Sequence, residues 1–277
     1  MLSEKEIISY AEKMKQTERW DWTAKTALAL TGIWNLYEAY NHEGCRETVK
    51  NAMDQLVQDL KDRDSGMINF AVLGCGRHLF PLYRETGEEV YKKTACRLWQ
   101  WIESRQDAVL EGPWTENLFL AEPFILEYEN QFRGKEGYHQ IQKQLSDANR
   151  MAAEQLSGMD QETSGYYLMA LIDSSSLISE EVFDHYKNAE KYFKAGLKLV
   201  DDRTSPYAVY SVLKGCRLGA LLAEKYQEAA EQSLPDHEGL TDECAGIMLM
   251  AYGEYAKLHG KDAGCSSLDQ SAAKAAD

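Results

Sequence analysis

Proline is sparse in this chain, five in 277 residues, so little interrupts long helices. Segments that alternate apolar and polar residues are equally few, which leaves no pattern from which a sheet would be read. No run of about 18 uncharged apolar residues occurs, so no transmembrane helix is expected. Residues 1–15 (MLSEKEIISYAEKMK) read as a charged amphipathic helix and not as the apolar core of a leader. A soluble, cytoplasmic protein made without a leader is the expectation. The six cysteines (Cys45, Cys75, Cys96, Cys216, Cys244, Cys265) are scattered, with no C-x-x-C. Reduced thiols are therefore expected, and the cysteines and histidines do not cluster as a zinc site needs. A basic block is also missing. With 45 acidic against 30 basic side chains the formal charge is −15, which argues against nucleic acid or an anionic membrane as partner.

What is present is a repeat. Trp22–Tyr40 is a strongly apolar helix, followed by a polar turn (Asn41-His42-Glu43-Gly44) and an amphipathic helix from Arg46 to Leu60. The next unit copies it: Phe70–Tyr83 is apolar, Glu85-Thr86-Gly87-Glu88 turns, and Val90–Ser104 is amphipathic. Further pairs are Glu116–Tyr128 with Tyr138–Gln155, Ser164–Leu177 with Glu181–Val200, and Pro206–Leu222 with Ala223–Ser233. A last apolar helix, Asp242–Leu258, has no partner after it, and Glu4–Lys15 at the start has none before it. The two complete one another if the ends of the chain meet. Periods of about forty to fifty residues mean an array of helical hairpins. Helices apolar all round belong inside, so the expected fold is all-α, an (α/α)6 barrel with apolar helices inside and amphipathic ones outside. Residues 1–260 form that single domain, and 261–277, small and polar without periodicity, form a disordered tail. Gly32, Gly76, Gly165, Gly215, Gly219, Gly246 and Gly253 suit close packing of the inner helices.

In such a barrel the inner helices run parallel and their N-termini gather at one end. Each brings partial positive charge and free N–H groups, a setting for an anionic or hydroxyl-rich ligand. The residues at those mouths are Trp20, Asp21 and Trp22; Asn69; Trp114 and Glu116; Thr163, Ser164 and Tyr166; Thr204, Ser205 and Tyr207; and Asp242 and Glu243. Aromatics beside short polar side chains suit a sugar, whose apolar faces stack while its hydroxyls take hydrogen bonds. Asn69, Ser164, Ser205 and Asp242 read equally well as helix caps.

Several stretches together resemble glycoside hydrolase family 105, with family 88 as a more distant relative. Arg19-Trp20-Asp21-Trp22 followed by Gly32-Ile33-Trp34-x-Leu36-Tyr37-Glu38 looks like that family's opening and first inner helix. Gly76-Arg77-x-Leu79-x-x-Leu82-Tyr83 resembles its second. Trp114-Thr115-Glu116-Asn117-Leu118-Phe119-Leu120-Ala121-x-Pro123-Phe124 is similar to its W-x-D-x-L-[FY]-M-A-x-P-F signature. Gly165-Tyr166-Tyr167-x-Met169-Ala170 and Val209-Tyr210-x-x-x-Lys214-Gly215-x-Arg217 look like later inner helices.

The resemblance implies an (α/α)6 barrel acting, without metal or cofactor, on small oligosaccharides that end in a 4,5-unsaturated uronic acid, such as unsaturated rhamnogalacturonyl fragments. An acid protonates the double bond, water adds to the neighbouring carbon, and the hemiketal collapses to release the sugar. Glu116 stands where that family has its catalytic aspartate. Trp20, Asp21, Trp22, Asn69, Trp114 and Tyr166 are the candidate substrate-binding residues. The departures are specific. The family's second acid falls near Ala71, the loop Gln106–Gly112 is short, and Glu162 replaces an arginine expected to help bind the uronate. Burial against Trp114 and Phe119 would raise the pKa of Glu116, whereas a helix N-terminus would lower it. Two further readings stay open: a barrel without catalysis that binds carbohydrate or a protein, and a sugar epimerase. The epimerase would need paired histidines where His78 stands alone.

Overall fold

The computed structural model describes residues 1–14, 19–62, 65–234 and 245–272. The described chain is helical and contains no strand. Amphipathic α1 (Glu4–Met14) precedes the first hairpin, α2 (Ala24–Tyr40) and α3 (Glu43–Asp62). The second hairpin has a divided inner arm, α4 (Phe70–Gly76) and α5 (Leu79–Thr86), returning through α6 (Glu89–Glu103). Then come α7 (Trp114–Tyr128) with α8 (Tyr138–Gln155), α9 (Gln161–Leu177) with α10 (Phe183–Leu199), and α11 (Pro206–Arg217) with α12 (Ala223–Gln232). The last helix is α13 (Ala245–Ala272).

The division into layers follows burial. Every residue of α2 from Thr26 to Leu36 is buried, whereas the apolar residues that α3 buries, Cys45, Val49, Ala52, Met53, Leu56, Val57 and Leu60, form one stripe at helical spacing, with Thr48 and Asp59 beside it. Around the inside, α2 packs on α4, α4 on α7, α7 on α9, α9 on α11, α11 on α13, and α13 back on α2. The ring is thus closed, and the fold is the (α/α)6 barrel that the hairpin pattern predicts. α1 lies against α2, α3 and α13, and the Leu2 N–H donates to the Tyr252 hydroxyl at 3.0 Å, joining the two ends of the chain.

The closing seam depends on missing side chains. A methyl at Gly32 would stand 2.5 Å from the Gly246 carbonyl oxygen, and one at Gly246 would stand 2.6 Å from the Ala29 nitrogen. Gly253 meets Asn35 in the same way. Gly76 and Gly215 instead receive outer-layer residues, Leu98 and Phe193. Gly219 packs against nothing within 4 Å: its φ of +73° ends α11 five residues before the expected Leu222.

One further departure from the sequence pattern has a local cause. The second inner helix breaks at Arg77–His78, where Pro81 cannot donate to the Arg77 carbonyl and the His78 N–H turns to Cys75. The helix α13 runs to Ala272; residues 273–277 lie outside the described residues.

The break at Arg77 aims its guanidinium across the bore at Asp173 of α9, 2.9 Å away. The Lys214 ammonium, 2.8 Å, and the Tyr210 hydroxyl, 2.6 Å, reach Asp173 from α11. Toward the C-terminal ends of the inner helices the pattern continues, Arg217 with Glu254 at 2.5 Å and Lys257 with Glu38 at 2.5 Å. These pairs surround a polar hollow of about 270 Å³. Cations near helix C-termini oppose the negative ends of six converging dipoles, so the hollow reads as a neutralised plug.

Replacing Gly246 by Ala is expected to destabilise the protein by roughly 1–3 kcal/mol. Gly260→Ala, at a helical site with nothing within 4 Å, should stabilise by up to about 1 kcal/mol. Urea unfolding of the two variants checks both signs.

Candidate active site

At the opposite end, the inner-helix N-termini differ in how their free N–H groups are satisfied. Thr23 caps α2, its hydroxyl accepting from the Thr26 N–H at 3.3 Å, and Asp21 accepts from the hydroxyls of both threonines. Asn69 caps α4 through the Val72 N–H at 3.0 Å. Asp160 caps α9, taking both the N–H and the hydroxyl of Thr163 at 2.8 Å. Ser205 caps α11 through the Ala208 N–H at 3.3 Å. Ser164 is not a cap; its hydroxyl donates to the Asp160 carbonyl at 3.0 Å. Asp242 and Glu243 lie outside the described residues.

α7 is the exception. Its cap position is Pro113, which offers no side-chain acceptor, and a φ of +56° at Gly112 turns the chain sharply into the helix. The Asn117 side chain holds the preceding loop by donating to the Glu111 carbonyl at 2.9 Å. Glu116 therefore sits in the first turn of an uncapped helix.

Glu116 lines a cleft of about 350 Å³ between the mouths of α7 and α9, together with Trp114, Asp160, Glu162, Thr163 and Tyr166. Three carboxyl groups and no Lys or Arg line this cleft. Their environments separate them. Two hydrogen bonds from Thr163 lower the Asp160 carboxyl, whereas burial, and secondly the nearby Glu162 charge, raise that of Glu116. Carboxyls pushed apart in this way are what acid and base roles require. Behind them a row of rings, Phe119, Tyr166 and Tyr207, runs along the inner face with successive centroids 5.5 Å apart. Trp114 is buried edge-on against Tyr167.

Of the other sequence candidates, Trp114 and Tyr166 join Glu116, and Trp20, Asp21, Trp22 and Asn69 do not line its cleft. Trp20 and Asp21 border a separate cleft of about 380 Å³ with Arg19 and Lys25. Trp22 turns outward, its indole N–H donating to Asp59 of α3 at 2.9 Å. Asn69 is occupied as a cap. His78 is buried, with Nε2 3.2 Å from the Thr31 hydroxyl; because that hydroxyl donates to the Ala27 carbonyl, the imidazole donates to it. Burial, with the Arg77 charge, holds its pKa well below the ordinary value, and nothing pairs it with a second histidine as epimerase chemistry would need. Among the described residues no three His, Cys, Asp or Glu side chains gather at metal-binding spacing, and no helix is long and apolar enough to cross a membrane.

Sequence reasoning missed two acids. Glu162 counts there only as a lost arginine, although its place two residues after the Asp160 cap puts it at the mouth. Glu122, two turns into α7, has no solvent contact and no hydrogen-bond partner for either oxygen. Its polar side chain amid Leu118, Phe119, Ala121, Ile125 and Leu126 was the available signal.

Comparison with known proteins supplies the family of this all-helical ring. The model of glycosyl hydrolase family 88 matches residues 2–180, and the chain belongs to that family. No curated protein matches it significantly. Among solved structures it is similar to a glycoside hydrolase from family 105 of C. acetobutylicum, 17% identical, covering 92% of this chain and 99% of that one at a TM-score of 0.70. A glycosyl hydrolase of family 88 from Bacteroides vulgatus is 12% identical, with the same coverage of 92% and 99% and a TM-score of 0.70. A possible member of the GH105 family from Klebsiella pneumoniae is 12% identical, covering 94% and 95% at a TM-score of 0.70. At such identities these structures speak for the fold alone.

Burial raises the Glu122 carboxyl from an ordinary 4.5 to about 8. Below pH 4.5 folded and unfolded chains both hold this proton. Between there and about pH 8 only the unfolded chain releases it, so folding stability should fall by about 1.4 kcal/mol per pH unit from this group. Glu122→Gln should remove that slope, which urea unfolding across the pH range measures directly.

Proposed function

We propose that this family 88 protein hydrolyses oligosaccharides ending in a 4,5-unsaturated uronic acid, with Glu116 as proton donor. The observation that carries the reading is the half-buried Glu116 carboxyl, raised in pKa at the one described inner-helix mouth whose cap position offers no side-chain acceptor. A general acid needs a pKa raised above that of an ordinary carboxyl, and that is the direction of the shift at Glu116. Glu116 gives its proton to one carbon of the double bond, and water adds to the other. Glu162, in the same cleft, is placed to take the proton that water gives up. The hemiketal then opens and the sugar leaves. Trp114 and Tyr166 supply the apolar and hydroxyl surface of the subsite.

The charge of the cleft sets its weakness. A uronate carboxylate placed there faces Asp160 and Glu162 with no cation among the lining residues, so a high KM is expected.

Hydrolysis is followed through loss of the ultraviolet absorbance of the conjugated double bond, with unsaturated rhamnogalacturonan, chondroitin and heparin disaccharides. Glu116→Gln should lower kcat at least about 100-fold. No turnover of any substrate by the wild type, or full activity in the variant, contradicts the assignment. Glu162→Gln removes the proposed acceptor of the water proton, so kcat should fall; it also removes a neighbouring negative charge, so the acid form of Glu116 is lost at lower pH. The alkaline limb of the kcat profile should move acidward, and KM for a uronate should fall.

A further inference from the structure

Against the overall charge of −15, one groove of the outer layer is lined by cations and by no acid. Between α10 and α12 a groove of about 360 Å³ is rimmed by Lys194 and Lys198 of α10, Arg203 of the following loop, and Lys225 of α12. No Asp or Glu lines it. All four cations are exposed. Lys194 has only a 3.7 Å contact to Glu190, which Lys187 already holds at 3.1 Å. Among the described residues, Lys198 and Arg203 have no ion-pair partner, and the Lys225 ammonium rests 5.0 Å from the Tyr226 ring centre.

The floor is different in kind. Leu197, Ala220 and Leu221 are buried, Tyr226 is half-buried, and Leu222, 74% exposed, projects at the edge as one of two exposed large hydrophobic residues. Four like charges around a small apolar floor repel one another in the free protein, and an anionic ligand relieves that repulsion. The concavity is sized for a few sugar rings and is too small for a folded partner.

We infer that the α10–α12 groove is an accessory binding site for an acidic oligosaccharide, its carboxylates paired with Lys198, Arg203 and Lys225 and a sugar face laid on Tyr226 and Leu222. The choice of a sugar over an acidic peptide rests on the glycosidase reading; the requirement for negative charge rests on the groove alone. The site is separate from the Glu116 cleft, with which it shares no lining residue. It supplies the cations that the catalytic cleft lacks, and holds an acidic chain near an enzyme whose net charge would otherwise turn it away.

The probe is saturated trigalacturonate, which has no double bond and so is not a substrate for the proposed chemistry. Calorimetric titration should show binding to the wild type and to Glu116→Gln alike, weakening as salt rises. The Lys198→Glu/Arg203→Glu double variant should lose about tenfold or more in affinity. Its far-ultraviolet circular dichroism should match the wild type, because both side chains are exposed. Equal affinity in the double variant, or equal binding of neutral maltotriose, overturns the site. Tighter binding of a glutamate tripeptide than of trigalacturonate overturns its assignment to a sugar. Trigalacturonate binding lost with the double variant while no unsaturated substrate is turned over leaves the groove standing and removes the proposed catalysis. Turnover without trigalacturonate binding does the reverse.

Discussion

Asp173 has no solvent contact, yet it stays charged, and the barrel is built around that fact. Burial alone would raise its carboxyl, but Lys214 and Arg77, with the Tyr210 hydroxyl, hold it down at about 2. A buried charge is tolerable only with partners of good geometry, and these come from the α4–α5 break and from α11. Three inner helices are therefore fixed relative to one another at the axis, where apolar packing alone would allow them to slide. The helix break at Pro81 and the cation-rich C-terminal end both serve the same cluster.

At one end of the bore paired charges line the polar hollow; the candidate acids stand at the other. There the inner-helix termini are satisfied by their own caps, Thr23, Asn69, Asp160 and Ser205, and a capped terminus has less left to give a ligand. α7 begins at a proline, and the acid in its first turn is consequently not spent on its own helix. Burial and Glu162 then push the Glu116 carboxyl toward its neutral form. The asymmetry among the described inner-helix mouths thus comes from local backbone chemistry at Gly112-Pro113.

Much of the fold was legible in the sequence. The alternation of apolar and amphipathic helices, the polar turns and the unpaired first and last helices all point to a closed ring, because burial demands follow directly from residue type. The breaks were less legible: Pro81 is visible, but the consequence of its missing N–H depends on the glycines before it. Which candidate residues share a cleft was readable only where the chain places them side by side. Trp114-Thr115-Glu116 is contiguous and Tyr166 faces it across the mouth. Trp22 carries the same sugar-binding character in sequence, but Asp59 of the outer layer captures its indole. Glu162 was misweighed because its importance comes from a neighbour on another helix. The α10–α12 groove went unseen because Lys194, Lys198, Arg203 and Lys225 look like ordinary solvated positions until two outer helices bring them round one floor.

The central claim is that the surroundings of the α7 mouth raise the pKa of the Glu116 carboxyl. Carbon-detected NMR titration of the Glu116 carboxyl in the intact protein tests it without any substrate. A pKa above that of an ordinary glutamate, falling when Glu162 is replaced by Gln, is the expected result; an ordinary or lower value that Glu162→Gln leaves unmoved would contradict it.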